Sequence, residues 1–102
     1  MNTAIESRRE QLAELCRRFH VKQLELFGSA AREAFDAETS DLDFLVEFEP
    51  CAPADHYERY FGLLEGLEAL LEKPVDLVET QAITNPYFLR RVNETRTSIY
   101  AA

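Results

Sequence analysis

Two short stretches of the sequence combine residue types that bind phosphate and cations. Leu26 and Phe27 are apolar and Gly28 follows them, which predicts a short buried strand that ends in a tight turn. Ser29 stands where a helix N-cap is expected, before the helix-forming residues 30–32. A strand that turns directly into a helix start leaves backbone N–H groups unpaired and directed at one point. Such an arrangement suits an anion, and phosphate above all.

The second stretch, residues 41–48, alternates between polar and apolar side chains. This period of two predicts a strand. One face of that strand would carry Leu42, Phe44, Val46 and Phe48. Asp41 and Asp43 fall on the other face with their Cα atoms about 7 Å apart, so that both carboxylates can converge on one or two hard cations. A phosphate-binding turn followed by such a strand indicates metal-assisted phosphoryl or nucleotidyl transfer.

Each stretch also has an ordinary structural interpretation. A Gly-Ser turn is common in loops, and an Asp-x-Asp pair on a solvated strand face often serves only to keep the surface polar. Like charges on one face repel each other unless a cation or water separates them. That electrostatic cost, together with the order of turn and carboxylates, favours a functional interpretation but does not decide it.

A third carboxylate, Asp76, interrupts the otherwise apolar residues 75–78, which predict a short strand. Burying an unpaired charge is costly. If this strand lies beside the one that carries Asp41 and Asp43, the three carboxylates can face the same side, and a divalent cation would compensate their charge. The alternative is an edge position at which Asp76 pairs with Lys73 or with an arginine.

Length, composition and charge limit the possible classes of protein. At 102 residues, of which 46% are hydrophobic and 11% aromatic, the chain is expected to form a single globular domain over residues 1–102. The net charge of −8 argues against non-specific binding of nucleic acid. Most arginines lie near the two ends of the chain and most acids in its middle, so a small basic region is expected if the ends meet.

The sequence also suggests a compartment. No apolar run approaches the roughly 20 residues that cross a bilayer, and the polar N-terminus lacks the apolar stretch of a signal peptide. The two cysteines, Cys16 and Cys51, lack metal-ligand spacing, and Cys16 falls on the apolar face of a predicted helix. We therefore expect a cytoplasmic protein without a membrane segment and with free thiols.

Hydrophobic periodicity, together with capping and proline residues, predicts the remaining helices and strands. Helices are predicted over residues 4–19, 29–35, 56–72 and 87–93, and strands over residues 22–27, 42–48 and 75–78. Asp55 is a candidate cap for the third helix, and Asn85-Pro86 indicates the start of the fourth. Residues 98–100 are either a last strand or an extended tail.

Taken together, these motifs resemble a known family. The matching residues are Gly28-Ser29, Arg32, Ser40-Asp41-Leu42-Asp43 and residues 73–78. In this combination the chain resembles the minimal nucleotidyltransferases of the polymerase-beta superfamily, which are often encoded beside a HEPN-domain toxin. The resemblance spans essentially the whole chain. It implies an α/β (α+β) fold with a small mixed sheet and helices packed on one face, and transfer of a nucleoside monophosphate from a nucleoside triphosphate to a hydroxyl.

The resemblance also implies roles for particular residues. Metal binding and catalysis would fall to three carboxylates, which hold two magnesium ions: Asp41, Asp43 and Asp76. Asp76 would in addition be the base on the acceptor side. Binding of the nucleotide, with ATP as the expected substrate, would fall to Gly28, Ser29, Arg32 and Ser40. Two features depart from the usual family pattern: Glu33 replaces a glycine after the arginine, and the spacer before Asp41 is one residue longer.

A chain of this length has no room for the extra domain that holds the acceptor in larger members of the superfamily. The acceptor surface must therefore come from a partner or from a second copy of the chain. The resemblance favours a HEPN toxin that is silenced by transfer of AMP to a tyrosine, with this chain as the antitoxin. The alternative is an antitoxin that blocks its partner sterically, without catalysis. A small-molecule acceptor such as an aminoglycoside is a third interpretation.

Overall fold

The computed structural model describes residues 3–28 and 42–102 of the chain. The helices in these ranges are α1 (Thr3–Glu6), α2 (Arg9–Arg18), α3 (Pro53–Leu71) and α4 (Pro86–Thr95). The strands are β1 (Val21–Phe27), β2 (Leu42–Phe48), β3 (Val75–Glu79) and β4 (Thr97–Ala101), and a 3₁₀ turn at Thr80–Ala82 follows β3.

The described strands form one mixed sheet with the order β3-β2-β1-β4. Strand β1 pairs in antiparallel fashion with both β2 and β4, whereas β2 and β3 run parallel. Parallel neighbours need a crossover connection, and α3 supplies it between β2 and β3. The expected α/β fold with a small mixed sheet is therefore confirmed.

The main core lies between one face of the sheet and helices α2 and α3. The alternation predicted for β2 holds, because Leu42, Phe44 and Val46 are all buried in this core. The helices contribute Leu12, Cys16, Leu63, Leu67 and Leu71. Close packing of α3 on α2 depends on Gly62, since a β-carbon there would collide with the ring of Phe19. The apolar periodicity of both helices thus serves the core.

Helix α4 packs against the opposite face of the sheet. Its Val92 is buried in a smaller cluster with Phe27 of β1 and Leu45 of β2. A bidentate ion pair joins the end of α4 to β1, with Arg96 Nε and one terminal nitrogen 2.9 and 2.6 Å from the Glu25 carboxylate oxygens. Glu25 is buried despite its charge, which is tolerable because this pairing satisfies it. The resemblance implied helices on one face of the sheet, and this part of the expectation is wrong: α2 and α3 cover one face, and α4 packs on the other at the end of β1.

Several element boundaries differ from those predicted. The helix predicted over residues 4–19 is two helices, α1 and α2, separated by a turn in which the Arg8 N–H donates to the Ile5 carbonyl. Helix α3 begins at Pro53 rather than at His56, because proline is well suited to the first turn of a helix. Asp55 consequently lies inside the helix and is not its cap.

The C-terminal part of the chain follows the sequence closely. Asn85 caps α4 by accepting hydrogen bonds from the Tyr87 and Phe88 N–H groups, as the Asn-Pro pair predicts. Residues Thr97–Ala101 form the edge strand β4 rather than an extended tail. The helix predicted over residues 29–35 lies outside the described residues.

The two ends of the described chain meet in space, but their arginines are partly used within the fold. Arg9 of α2 donates a hydrogen bond to the Ile99 carbonyl in β4 and also pairs with Glu6. Both cysteines are free thiols, and Cys16 is completely buried, as predicted. Within the described residues, every helix is too short or too polar to cross a membrane.

Candidate active site

The parallel pairing of β2 with β3 brings two of the predicted carboxylates together. Asp43 and Asp76 are direct partners in the register of the two strands, whose spacing in a sheet is about 4.8 Å. Their chain neighbours Leu42, Phe44 and Leu77 face the main core, so both aspartates lie on the opposite face. Asp43 is half-buried and Asp76 is exposed. The sequence analysis required the strand of Asp76 to lie beside the strand of Asp43, and the structure shows this pairing.

Gly28 lies directly beside this pair. It follows the last residue of β1, Phe27, which is the register partner of Asp43. Its φ of +75° is in the left-handed region that glycine adopts without strain. A β-carbon at this position would lie 2.6 Å from Asp43 Oδ2, well inside contact distance. Glycine is therefore required here both by its backbone conformation and by the proximity of the carboxylate.

The backbone N–H of Gly28 has a partner on α4. It donates a 2.8 Å hydrogen bond to Thr95 Oγ1. This N–H is accordingly engaged within the protein rather than directed at a ligand. The contribution of Gly28 to the site is the space that its missing side chain leaves, and the hydrogen bond ties the start of the predicted phosphate-binding turn to α4.

Gly28 and the two carboxylates border a single cavity of about 310 Å³. Its other walls come from the end of β1 and from one face of α4: Phe27, Phe88, Arg91, Val92 and Thr95. The rings of Phe27 and Phe88 meet edge to face with centroids 6.0 Å apart. A cavity with convergent polar groups and apolar walls is the usual form of a small-molecule site, and the volume is at the lower end of the range for such sites, about 300–1,000 Å³.

The sequence alone did not assign the α4 residues to this site. Phe88 appeared as an apolar residue of a short helix, and Arg91 as one of several arginines near the chain end. Their spacing of three and four residues along α4 places Phe88, Arg91, Val92 and Thr95 on one helix face. The local pattern shows that they share a face but not which surface that face contacts.

Two carboxylates of β3, Asp76 and Glu79, act electrostatically on Tyr60 of α3. Tyr60 of α3 donates a 2.5 Å hydrogen bond from its hydroxyl to the Leu77 carbonyl. Burial first, and then the negative charges of Glu79 and Asp76, raise the pKa of Tyr60. The negative charge of Asp76 is thus one of the causes of the raised pKa of Tyr60.

The other predicted site residues, Ser29, Arg32, Ser40 and Asp41, lie outside the described residues, as does Glu33. Within residues 3–28 and 42–102, no three histidine, cysteine, aspartate or glutamate side chains form a group that could hold a metal ion. Asp43 and Asp76 are a pair there, and Asp41 is the predicted third member.

Comparison with known proteins decides the family. The family model described as "Nucleotidyltransferase domain" matches residues 8–99. This chain belongs to the nucleotidyltransferase family. The match confirms two predictions from the motifs: that the chain is a member of this family and that it is an enzyme of the nucleotidyltransferase class.

Relatives of this nucleotidyltransferase carry a more specific name. Two proteins of Methanocaldococcus jannaschii, each named as a candidate protein adenylyltransferase, are 40% identical to it. The first aligns over 78 residues, which is 76% of this chain and 75% of the relative. The second aligns over 77 residues, which is 76% of this chain and 74% of the relative.

Solved structures show the same fold. A candidate minimal nucleotidyltransferase superposes with a TM-score of 0.71 at 33% identity and covers 95% of both chains. A Shewanella oneidensis structure of a tri-AMPylated HEPN toxin in complex with its MNT antitoxin superposes with a TM-score of 0.63 at 18% identity, and the match covers 96% of this chain and 73% of that one. A toxin–antitoxin structure with AMP-PNP gives 0.66 at 20% identity, covering 92% and 73%. The nucleotidyltransferase described here therefore has the fold of the minimal nucleotidyltransferases.

Proposed function

We propose that this nucleotidyltransferase is a magnesium-dependent protein adenylyltransferase that transfers AMP from ATP to a tyrosine of a HEPN toxin and so acts as its antitoxin. The observation that carries the proposal is the placement of Asp43 beside Asp76, next to Gly28, at one cavity. The names of the relatives and the AMPylated toxin in the Shewanella oneidensis complex support the substrate and partner.

The donor set at the cavity fits magnesium. Carboxylate oxygens are the protein ligands that this ion prefers, and Asp43 and Asp76 present them from adjacent strands. We propose Asp41 as the third carboxylate, because the alternating sequence of residues 41–48 predicts that it shares a strand face with Asp43. When bound, two magnesium ions would supply charge neutralisation at the triphosphate and at the reacting oxygens.

The residues of the chain would then share the work as follows. The turn that begins at Gly28 would accommodate the outer phosphates, with Ser29, Arg32 and Ser40 as further nucleotide-binding residues. Asp76, which is exposed at the cavity, would accept the proton of the acceptor hydroxyl. The acceptor oxygen forms a bond to the α-phosphorus, the bond from that phosphorus to the bridging oxygen breaks, and pyrophosphate leaves. The products are an AMP ester of the hydroxyl and pyrophosphate.

A protein acceptor suits the overall charge better than a nucleic acid does. At −8 the chain repels a polyanion in general, although Arg91 borders the cavity. Because Asp76 is exposed at the cavity, the site is open to a side chain presented by another protein. A HEPN toxin would provide that side chain and the acceptor surface together.

The test is transfer of label from α-labelled ATP to the product of the neighbouring gene, which this proposal expects to be a HEPN toxin, with magnesium present. We expect wild type to label a tyrosine of the toxin, and Asp43→Asn and Asp76→Asn to reduce the rate by at least a hundredfold, since each removes a charged group at the reacting centre. Asp55→Asn is the matched control, because Asp55 is exposed in the first turn of α3 and does not border the cavity.

The same experiment separates catalysis from steric inhibition. If all three variants bind the toxin equally and only the control labels it, the protein acts as an enzyme. If wild type binds and neutralises the toxin without transferring label, and the aspartate variants neutralise it equally well, the proposal is wrong and the steric antitoxin is correct.

A further inference from the structure

Arg91 is the one cationic side chain that the described residues place at the cavity beside Asp43 and Asp76. We propose that Arg91 binds the phosphate chain of the nucleotide, so that α4 completes a substrate site otherwise built by strands and a turn. The proposal rests on the proposed function, because it requires a nucleoside triphosphate as substrate. It gives α4, to which the sequence motifs assign no function, a role in binding phosphate.

The position of Arg91 is determined by contacts on both sides of it in the helix. Val92 is buried between Phe27 and Leu45, which holds α4 against the sheet. Thr95, one turn further on, accepts the hydrogen bond from Gly28, and Arg96 is paired with Glu25. These contacts hold α4 against the sheet at three successive positions near its end. The guanidinium of Arg91 is therefore presented from a rigid element, although the side chain itself is exposed.

A positively charged guanidinium at this cavity would offset the negative charge of a bound triphosphate. A triphosphate carries several negative charges, and the cavity is already lined by the carboxylates of Asp43 and Asp76. Repulsion between these charges at close range makes the free energy of binding less favourable. Metal ions offset part of that charge, and a fixed cation offsets more. Arginine is well suited to this task because its planar fork donates parallel hydrogen bonds to phosphate oxygens and its charge persists at all ordinary pH values.

The guanidinium of Arg91 is also available. Within the described part of the chain it takes part in no hydrogen bond or ion pair, whereas Arg96, which directly follows α4, donates hydrogen bonds to Glu25 and Asn93. Arg90, the preceding residue, borders a different surface that Pro86, Asn93 and Glu94 share, away from the carboxylates. Arg90 and Arg91 thus carry the same charge and lie in the same helix, but only Arg91 borders the cavity with the two carboxylates.

This difference provides a matched test by calorimetric binding of magnesium-ATP to the full chain, without any acceptor. Arg91→Ala should weaken binding of ATP by about tenfold or more, as expected for loss of a charge-assisted phosphate contact. Arg91→Lys keeps the charge but lacks the fork and should fall between Arg91→Ala and wild type. Arg90→Ala should bind ATP as wild type does. The loss in Arg91→Ala should be greater for ATP than for AMP, since fewer phosphates offer fewer contacts.

The outcomes distinguish the two proposals. If wild type does not bind magnesium-ATP, the proposed function fails and Arg91 has no phosphate to bind. If wild type binds ATP and Arg91→Ala binds it as tightly as Arg90→Ala does, the role of Arg91 is wrong and the proposed function stands. If, in the label-transfer assay described above, Arg91→Ala raises KM for the toxin while KM for ATP is unchanged, Arg91 belongs to the acceptor side and the inference is likewise overturned. Thermal unfolding of both alanine variants should match wild type, because both side chains are exposed.

Discussion

At the scale of single residues, the site depends on how closely Gly28 approaches Asp43. Two aspartates of like charge lie side by side in the register of β2 and β3, an arrangement that costs free energy unless something compensates it. Gly28 leaves space at this point by having no side chain. Adding a single methyl group at Gly28 is therefore enough to disturb the carboxylate of Asp43.

Gly28→Ala tests this close approach. The new methyl group would lie 2.6 Å from Asp43 Oδ2 and would force that carboxylate to swing away. The left-handed backbone at φ +75° adds about 1 kcal/mol of strain for a residue with a β-carbon. We expect a modest loss of thermal stability and a much larger loss of transfer activity, with a rise of about tenfold in the magnesium concentration that gives half-maximal rate, as expected when about 1.4 kcal/mol of ion binding is lost.

Gly66→Ala is a suitable control for that experiment. A methyl group there would crowd Leu15, at the packing surface of α2 on α3 and away from the cavity. It should lower thermal stability without changing the dependence on magnesium. An unchanged magnesium dependence in Gly28→Ala would show that Asp43 does not need its present position.

At the scale of elements, α4 forms the second wall of the site. It is capped by Asn85, anchored through Val92, and joined to β1 by the Arg96–Glu25 ion pair. The side-chain hydrogen bond of Glu25 is also the main cause of a raised pKa at Arg96. The hydrogen bond from the Gly28 N–H to Thr95 then links this helix directly to the residue that follows β1, beside the carboxylates. We therefore expect stability and nucleotide binding to be coupled through Thr95.

Thr95→Val and Thr95→Ser form a pair that isolates this hydrogen bond. Valine keeps the shape but removes the acceptor, leaving the half-buried Gly28 N–H unsatisfied at a cost of about 1–3 kcal/mol. Serine keeps the hydroxyl. Urea denaturation should show the loss for valine and little change for serine, and calorimetry should show weaker magnesium-ATP binding for valine only. Equal behaviour of the two variants in both measurements would mean that the hydrogen bond does not hold the turn.

At the scale of the whole molecule, the core contains a titratable group whose charging would oppose folding. Cys16 is completely buried, and burial raises the pKa of its thiol from 9.0 to about 12, against a smaller lowering by Arg17. In the unfolded chain the thiol loses its proton at lower pH than in the folded chain. Its contribution to stability is therefore complete below pH 9 and is lost as the pH rises from 9 towards 12.

The free energy of unfolding should accordingly fall by about 1.4 kcal/mol per pH unit in that range for this one group. Tyr60, whose pKa is also raised, adds a slope of the same sign above pH 10. Cys16→Ala should have a shallower slope than wild type, at the cost of lower stability at neutral pH from the smaller side chain. Cys51→Ala, which removes a thiol outside the core, is the matched control. Equal slopes for all three proteins, measured by urea denaturation between pH 8 and 10.5 or so, would contradict the role of Cys16.

Local information was enough for much of the fold and part of the site. The alternation of residues 42–48 correctly predicted which side chains of β2 enter the core, and Asn85-Pro86 correctly marked the start of α4. These features depend on residues two to four apart, which share a strand face or a helix turn whatever the rest of the chain does. The aspartates and the Gly-Ser turn also sufficed to indicate the family, which the comparisons confirm.

Only the tertiary structure decided which elements meet. The parallel pairing of β2 with β3 places Asp43 opposite Asp76, and the packing of α4 on the second face of the sheet brings Thr95 and Arg91 to Gly28. Such contacts join residues more than thirty positions apart, and they depend on the burial of the entire core rather than on any local pattern. The sequence by itself therefore determined the residue types and the faces they occupy, whereas the fold determined that these faces enclose one cavity.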